Sequence, residues 1–285
     1  MNLKSFLFSG LLALLSVTFV YGQSDVTKKG NVTIGVRGGL SMPGFTGGSD
    51  NPLSKGYSTI TRYGFGVFAE FKLSDLFSIQ PMLEYSQEGG KKNGYQALQP
   101  IPANQGAMLS LMNNGTVPEF LSANVNNQSK LNYLQLPVLA KFGWDLDHQQ
   151  RWRIYVDAGP YAALLVGAKQ IISVPSGSAI LYMTPNDQIP LPEIDPNTQM
   201  PVFDQSGNMV PTQITNTTTN TKSSLNTFNW GFEGNVGLQY QISAKNRVFI
   251  EGGGNYGLKN IQKDAIDGSN HIGAATVMVG YGYTL

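Results

Sequence analysis

Side chains that alternate in character with a period of two, and the lack of any apolar run beyond residue 22 long enough for a membrane helix, constrain this sequence more than any other feature. Between Phe228 and Tyr240, Trp230, Phe232, Val236, Leu238 and Tyr240 fall on one side of an extended chain. Asn229, Gly231, Glu233, Asn235, Gly237 and Gln239 fall on the other. Arg62 to Lys72 repeats the pattern, with Tyr63, Phe65, Val67, Ala69 and Phe71 against Arg62, Gly64, Gly66, Glu70 and Lys72. Trp152 to Ala158 does so again. Successive side chains of a strand point to opposite faces, so a two-residue period reads as a strand with one apolar side and one polar side. A spanning helix would need ~18 or more consecutive apolar residues, which no later stretch supplies.

Eight segments carry the pattern: residues 32–40, 62–72, 77–88, 131–143, 152–169, 227–240, 247–259 and 271–285. Most match the ~9–11 residues that cross a bilayer at a tilt. The connections 73–76, 144–151 and 241–246 are short and polar, whereas 41–61, 89–130, 170–227 and 260–270 are long. Short and long alternate strictly, as they do in an outer-membrane barrel with tight periplasmic turns and extended extracellular loops. Inside the longest loop, 171–174 and 179–182 flank Pro175 to Ser178 as a hairpin would, and Pro201 to Phe203 and Met209 to Val210 flank Asp204 to Asn208 in the same way. Asn216 to Asn220 is a Thr/Asn tract expected to be mobile.

Composition decides between a soluble and a lipid-facing version of such a sheet. Charged residues make up 13% of the chain, about half the usual share, and a soluble surface wants more. The net charge is +1 with no basic block, which argues against a nucleic-acid partner. In hydrocarbon every backbone N–H and C=O must be paired within the protein, so strands cross only as a closed ring. The expected fold is therefore all-β, an eight-stranded antiparallel up-and-down transmembrane β-barrel with long extracellular loops and outer-membrane lipid around it.

The first residues read as an address. Met1 to Lys4 is a short cationic start, Phe6 to Val20 is apolar, and Val20-Tyr21-Gly22 suits signal peptidase, so residues 1–22 are expected to be a signal peptide and 23–285 one barrel domain. With no cysteine in the chain there is neither a lipoprotein attachment site nor a disulfide framework.

An eight-stranded barrel is just narrow enough for side chains to fill it. On the face assignment, Arg37, Glu70, Glu84, Lys141, Arg153, Asp157, Glu233 and Glu251 point inward as a structural charge network, with Arg37 expected beside Glu70 or Glu251. Buried charge is costly unless paired. A proton or ion relay is the functional alternative for the same cluster.

Other motifs carry little chemistry. Gly252 to Gly257 satisfies G-x-G-x-x-G, but the dinucleotide reading needs a helix opening there within a βαβ unit. Asp264 to Asn270 lacks the alternating oxygen ligands of a calcium loop. Asp145, Asp147 and His148 sit together in a short turn, where solvated polar residues are expected. Of the two histidines, His148 belongs to that turn and His271 to the opposite end. His271 with Asp264 or Asp267 is then the one pair with the types a hydrolase needs. No catalytic, cofactor-binding or metal residue is assigned, and no cofactor is expected.

Several segments together resemble the PorT-like outer-membrane β-barrel family of Bacteroidota. They are Gly35-Val36-Arg37-Gly38-Gly39-Leu40, Ile79 to Gly89, Tyr133 to Lys141, Asp157-Ala158-Gly159-Pro160-Tyr161 and Asn255 to Ile261. The resemblance spans the mature chain apart from the long loops. It supports strands that hold Pro81, Pro137 and Pro160, residues that cannot donate to a ladder and should each mark a bulge or a break in pairing. Leu285 departs from the terminal aromatic of many such barrels. What the resemblance implies about activity is thin, because the family includes a secretion-system component beside many barrels with no assigned role. The leading expectation is a non-enzymatic barrel whose extracellular loops carry any binding specificity. Second is an accessory barrel of a secretion or transport machine that binds a protein partner through loops or periplasmic turns. Third is an outer-membrane hydrolase acting at the rim through His271.

Overall fold

In the computed structural model the described residues are 32–48, 50–100, 110, 120–183, 189–198 and 200–285, so the signal segment lies outside them. The strands in chain order are β1 (Val32–Gly47), β2 (Arg62–Lys72), β3 (Phe77–Pro100), β4 (Phe120–Asp145), β5 (Trp152–Ser173), β6 (Ser178–Ile180), β7 (Gln213–Thr215), β8 (Thr217–Asn220), β9 (Phe228–Gln241), β10 (Asn246–Gly257) and β11 (Asn270–Thr284). Eight of them, β1 to β5 and β9 to β11, form one antiparallel ring, in which β5 meets both β4 and β9 and β11 returns to β1. The closing seam runs from Thr33 opposite Thr284 to Gly47 opposite Asn270. Closure leaves none of these strands with an unpaired edge, the condition that hydrocarbon imposes.

The alternation in the sequence becomes an inside and an outside. Val36, Leu40, Phe65, Phe232 and Val279 are each more than half exposed on the outer wall. Aromatic pairs ring both ends of this apolar band: Phe77–Phe142 at 4.9 Å and Trp152–Tyr240 at 4.7 Å near the short turns, and Phe65–Tyr85 at 5.2 Å toward the long connections. Tyr240 and Trp230 stand ten residues apart on β9. At ~3.3 Å per residue and a tilt of ~40° that is about 25 Å, the height of a lipid-facing band.

The inner wall mixes large and very small residues. Phe68 pairs across the ladder with Gly35, Tyr155 with Gly237 and Phe249 with Gly280. A Cβ at any of these glycines would overlap the facing ring. The glycines thus make room for rings that fill a bore of only eight strands.

Three features depart from the sequence reading. Of the expected loop 89–130, residues 89–100 and 120–130 continue β3 and β4 as a paired ladder well past the apolar band. Around Lys91, Lys92, Asn126 and Asn127 both strands are polar, which hides the continuation, although Leu121, Ala123 and Val125 farther out turn one face into an apolar cluster. Ile171 to Ser173 and Ser178 to Ile180 do not pair with each other: β5 continues against β4 and β8, and β6 pairs with β7. The Thr/Asn tract is not loose, because Thr217–Asn220 is β8, bonded to β5, and the Asn216 side chain accepts from the Val174 N–H at 2.7 Å. The second expected hairpin does form, with Phe203 bridged to Met209. Pairing is interrupted beside each of the prolines, between Pro81 and Glu84 toward β4 and between Pro137 and Ala140 toward β5, with register kept on either side. These are breaks in the ladder, not bulges.

Candidate functional site

The interior is filled in tiers, starting at the short-turn end. Glu70 on β2 holds both Lys141 of β4, at 3.1 Å, and Arg247 of β10, at 2.5 Å. Lys141 also reaches Gln80 Oε1 at 3.3 Å and sits 3.8 Å above the Tyr155 ring. The next tier is Phe68, Met82, Leu139, Tyr155 and Phe249, packed together and nearly inaccessible.

Arg37 is the hub of the interior. Its Nε donates to Glu84 at 2.9 Å and its Nη2 contacts the same carboxylate, while Nη2 also donates to Glu233 at 2.6 Å and Nη1 to Glu251 at 2.7 Å. Glu251 accepts a second bond from the Tyr155 hydroxyl at 2.7 Å. A planar guanidinium with donors in fixed directions is suited to three carboxylates arriving from three strands. Buried in the ring lie Glu70, Glu84, Glu88, Asp157, Glu233 and Glu251 against Arg37, Lys141 and Arg247, an acidic excess. Neutral donors serve the acids that have no cation: Asn235 bonds Asp157 at 2.8 Å, and Ser86 bonds Glu88 at 2.7 Å.

Of the eight residues expected inside, seven occupy the bore. Arg37 touches Glu251 as anticipated but not Glu70. Arg153 is the exception: it lies at the short-turn mouth, partly exposed, bonded to Asp145 at 2.9 Å and to the carbonyls of Asp75 and Gly143. Arg247, Glu88 and Gln135 were missed, although each has the parity of an inward residue already named, four positions from Glu251, four from Glu84 and six from Lys141 respectively. At Arg247, nearness to a turn hid the signal.

Above the charges the bore narrows to hydrocarbon. Leu131, Tyr133, Tyr161, Leu165, Ile261 and Ile272 form a throat, with Phe45 and Leu225 packed on it. Over that throat described residues of the four long connections line a half-open cavity of about 260 Å³. Its floor includes Phe45, Leu131, Leu225 and Ile261, and its wall carries Tyr57, Asn127 and Gln170. Gln170 Nε2 donates to Asn127 Oδ1 at 3.3 Å, Asn127 Nδ2 donates to the Tyr57 oxygen at 3.4 Å, and the Tyr57 ring stands edge-on to Phe45 at 5.0 Å. Burial pushes the Tyr57 hydroxyl above the usual phenol range, while hydrogen bonds with Ser129 and Asn127 pull the other way. Farther out, a separate hydrophobic cluster centred on Leu121, Val125, Val174 and Met183 holds the extended β3–β5 region together.

The remaining motifs resolve into ordinary structure. Gly252 to Gly257 lies wholly within β10, an antiparallel strand. Asp147 caps its own turn, accepting from the N–H groups of Arg151 and Trp152. His271 stacks on Tyr256 at 6.1 Å, and its Nδ1 has no hydrogen-bond partner among the described residues, so the pairing with Asp264 or Asp267 is not formed. Among the described residues, no group of three or more His, Cys, Asp or Glu is placed to hold a metal ion.

The family described as outer membrane protein beta-barrel domain matches residues 21–263. Solved structures similar to the chain include Neisserial surface protein A, 7% identical with a TM-score of 0.37 over 90% of this chain and 99% of that one. The outer membrane protein OprG from Pseudomonas aeruginosa is 9% identical, with a TM-score of 0.36 over 92% and 99%. Ail, the attachment invasion locus protein of Yersinia pestis, is 10% identical, with a TM-score of 0.34 over 90% and 100%. No curated protein matches the chain.

Proposed function

The chain belongs to the outer membrane protein beta-barrel domain family, and from that premise we propose that it is a non-enzymatic, non-conducting barrel whose working surface is the cap built from its long connections. In this reading residues 1–22 are a signal peptide removed on export. The short turns and both chain termini face the periplasm, and the cap faces outward.

The observation that carries the reading is a bore closed twice by unrelated chemistry. Arg37 with its three carboxylates closes it once, and the throat from Leu131 to Ile272 closes it again. An ion crossing the barrel would have to break buried, hydrogen-bonded charge pairs and then open a close-packed apolar layer, each a cost of several kcal/mol. Planar-bilayer recording of the purified protein tests this. The expected result is a silent membrane at protein levels where an open porin gives steps; discrete, protein-dependent conductance would overturn it.

A second reading, an accessory barrel that binds a protein partner, draws on Met200, Phe203 and Met209, which stand exposed about the outermost hairpin of the cap. A stoichiometric complex surviving mild detergent extraction, and lost with Phe203→Ser, would support it.

A further inference from the structure

We propose that the cavity over the throat is a binding site for one neutral sugar ring, an inference that rests on the cap being the working surface. All four long connections contribute to it: Tyr57 from the first, Asn127 and Ser129 from the extended β3–β4 ladder, Gln170, Thr221 and Leu225 from the third, Gln262 and Asn270 from the last. Segments far apart in sequence thus meet at one small volume, as they do at a ligand site and not at a loop surface.

The lining excludes most ligand classes. Among the described residues no Lys or Arg lines it, and Lys92, whose Nζ stands 6.0 Å from the Tyr57 ring centroid, is held by the Pro52 carbonyl at 2.7 Å, so a phosphate, sulfate or carboxylate would lose water with no lining cation to replace it. Among the described residues Asp267 is the one charged lining residue, and a lone carboxylate at the margin does not make a cation cage. A wholly apolar guest would suit Phe45, Leu131 and Ile261 but would leave the buried Asn270 Oδ1 without a partner, at ~1–3 kcal/mol, and would use none of the hydrogen-bonding capacity that the Asn127 and Gln170 amides keep beyond their mutual bond. A molecule with an apolar C–H face and a rim of hydroxyls meets both halves. Its face would lie against Phe45 and Tyr57, and its hydroxyls would meet amides that both donate and accept.

Two further observations fit that class. At about 260 Å³ the cavity falls just below the ~300–1,000 Å³ of drug-sized sites, which favours a single ring over a chain. Asn270, only 2% exposed, lines the cavity with its Oδ1 unpartnered among the described residues, an acceptor suited to a ligand hydroxyl. The throat beneath lets such a ligand bind without crossing the barrel.

The test is saturation-transfer NMR on the full-length protein, held in lauryldimethylamine oxide because a detergent with a sugar head would compete. The probes are methyl β-D-glucopyranoside, methyl β-D-galactopyranoside, cyclohexanol and inorganic phosphate. Transfer to the C–H protons of at least one glycoside is expected, with none to phosphate. Asn127→Leu and Gln170→Leu are each expected to weaken binding about tenfold, and the milder Tyr57→Phe less. Arg153→Ala, at the opposite mouth, is expected to leave binding unchanged. Each variant must keep heat-modifiable migration, and Tyr57→Phe preserves the test should the leucine variants misfold. Repeating the titration in vesicles carrying lipopolysaccharide separates two sources: loss of the glycoside signal points to a lipid-linked saccharide, and its persistence to a free sugar, both of which support the site. Transfer to cyclohexanol alone, or to no probe, would overturn the proposal. In that case a silent bilayer from the same preparation would leave the closed-barrel reading intact, so the two failures are distinguishable.

Discussion

Around Arg37 the interior of the barrel is filled by paired charge, whereas from Leu131 to Ile272 it is filled by aliphatic side chains and two tyrosines. The wall around both is the same ladder with the same apolar outer face. What differs is how the filling depends on position. Three carboxylates meet one guanidinium only if β1, β3, β9 and β10 stand in the observed register, so the charged half both occupies space and fixes strand alignment. The throat needs volume more than alignment, and a side chain of similar size would serve.

If that contrast holds, the largest effect belongs to Arg37→Ala. It strands three buried carboxylates, and breaking one partner of a buried network costs about 3–5 kcal/mol. Urea unfolding in lipid vesicles should show a loss of that size or no folded barrel at all. Adding Glu84→Gln, Glu233→Gln and Glu251→Gln to Arg37→Met should recover most of it, because the buried charge is gone. Failure of the neutral set to recover would mean that the network does more than balance itself. Leu165→Ala in the throat should cost about 2–5 kcal/mol through the cavity it leaves, and Leu165→Met much less, which a register-setting residue would not allow.

Between these extremes lies Gly280→Ala. Its Cβ would overlap the Phe249 ring, so a cost of about 1–3 kcal/mol is expected from overpacking. Gly280→Ala with Phe249→Leu should be milder than Gly280→Ala alone, and additivity would deny the contact. Arg153→Ala should change stability by no more than about 1 kcal/mol, since its pair with Asp145 is partly exposed at the mouth. A loss as large as that of Arg37→Ala would put Arg153 back among the interior charges.

The sequence made some of this legible and hid the rest for identifiable reasons. Strands inside the apolar band announce themselves because one face meets lipid and the other does not, which is why Trp230 and Phe232 part from Glu233 and Asn235. Where β3 and β4 first rise past the band, at Lys91, Lys92, Asn126 and Asn127, both faces are polar and the period fades although the ladder continues, to resume only at Leu121, Ala123 and Val125. β8 is invisible for the same reason: Thr217 to Asn220 has no apolar side to read, and its order comes from β5 beside it. Inward charges followed from parity alone, but which of them meet depends on the stagger between strands: Arg37, expected beside Glu70 or Glu251, meets Glu251, while Glu70 meets Lys141 and Arg247. The outer cavity was not legible at all, since it is assembled from four separate connections.

Because the chain has no cysteine, single substitutions along β9 can carry a nitroxide label one position at a time, and this tests the central claim most directly. In reconstituted vesicles, labels at Trp230→Cys, Phe232→Cys, Val236→Cys and Leu238→Cys should collide freely with oxygen dissolved in lipid. Labels at Glu233→Cys, Asn235→Cys and Gln239→Cys should be shielded from both oxygen and a water-soluble relaxer. A two-residue oscillation between lipid contact and burial is the predicted result; uniform exposure to the water-soluble relaxer, or burial of Trp230 and Phe232 away from lipid, would contradict it.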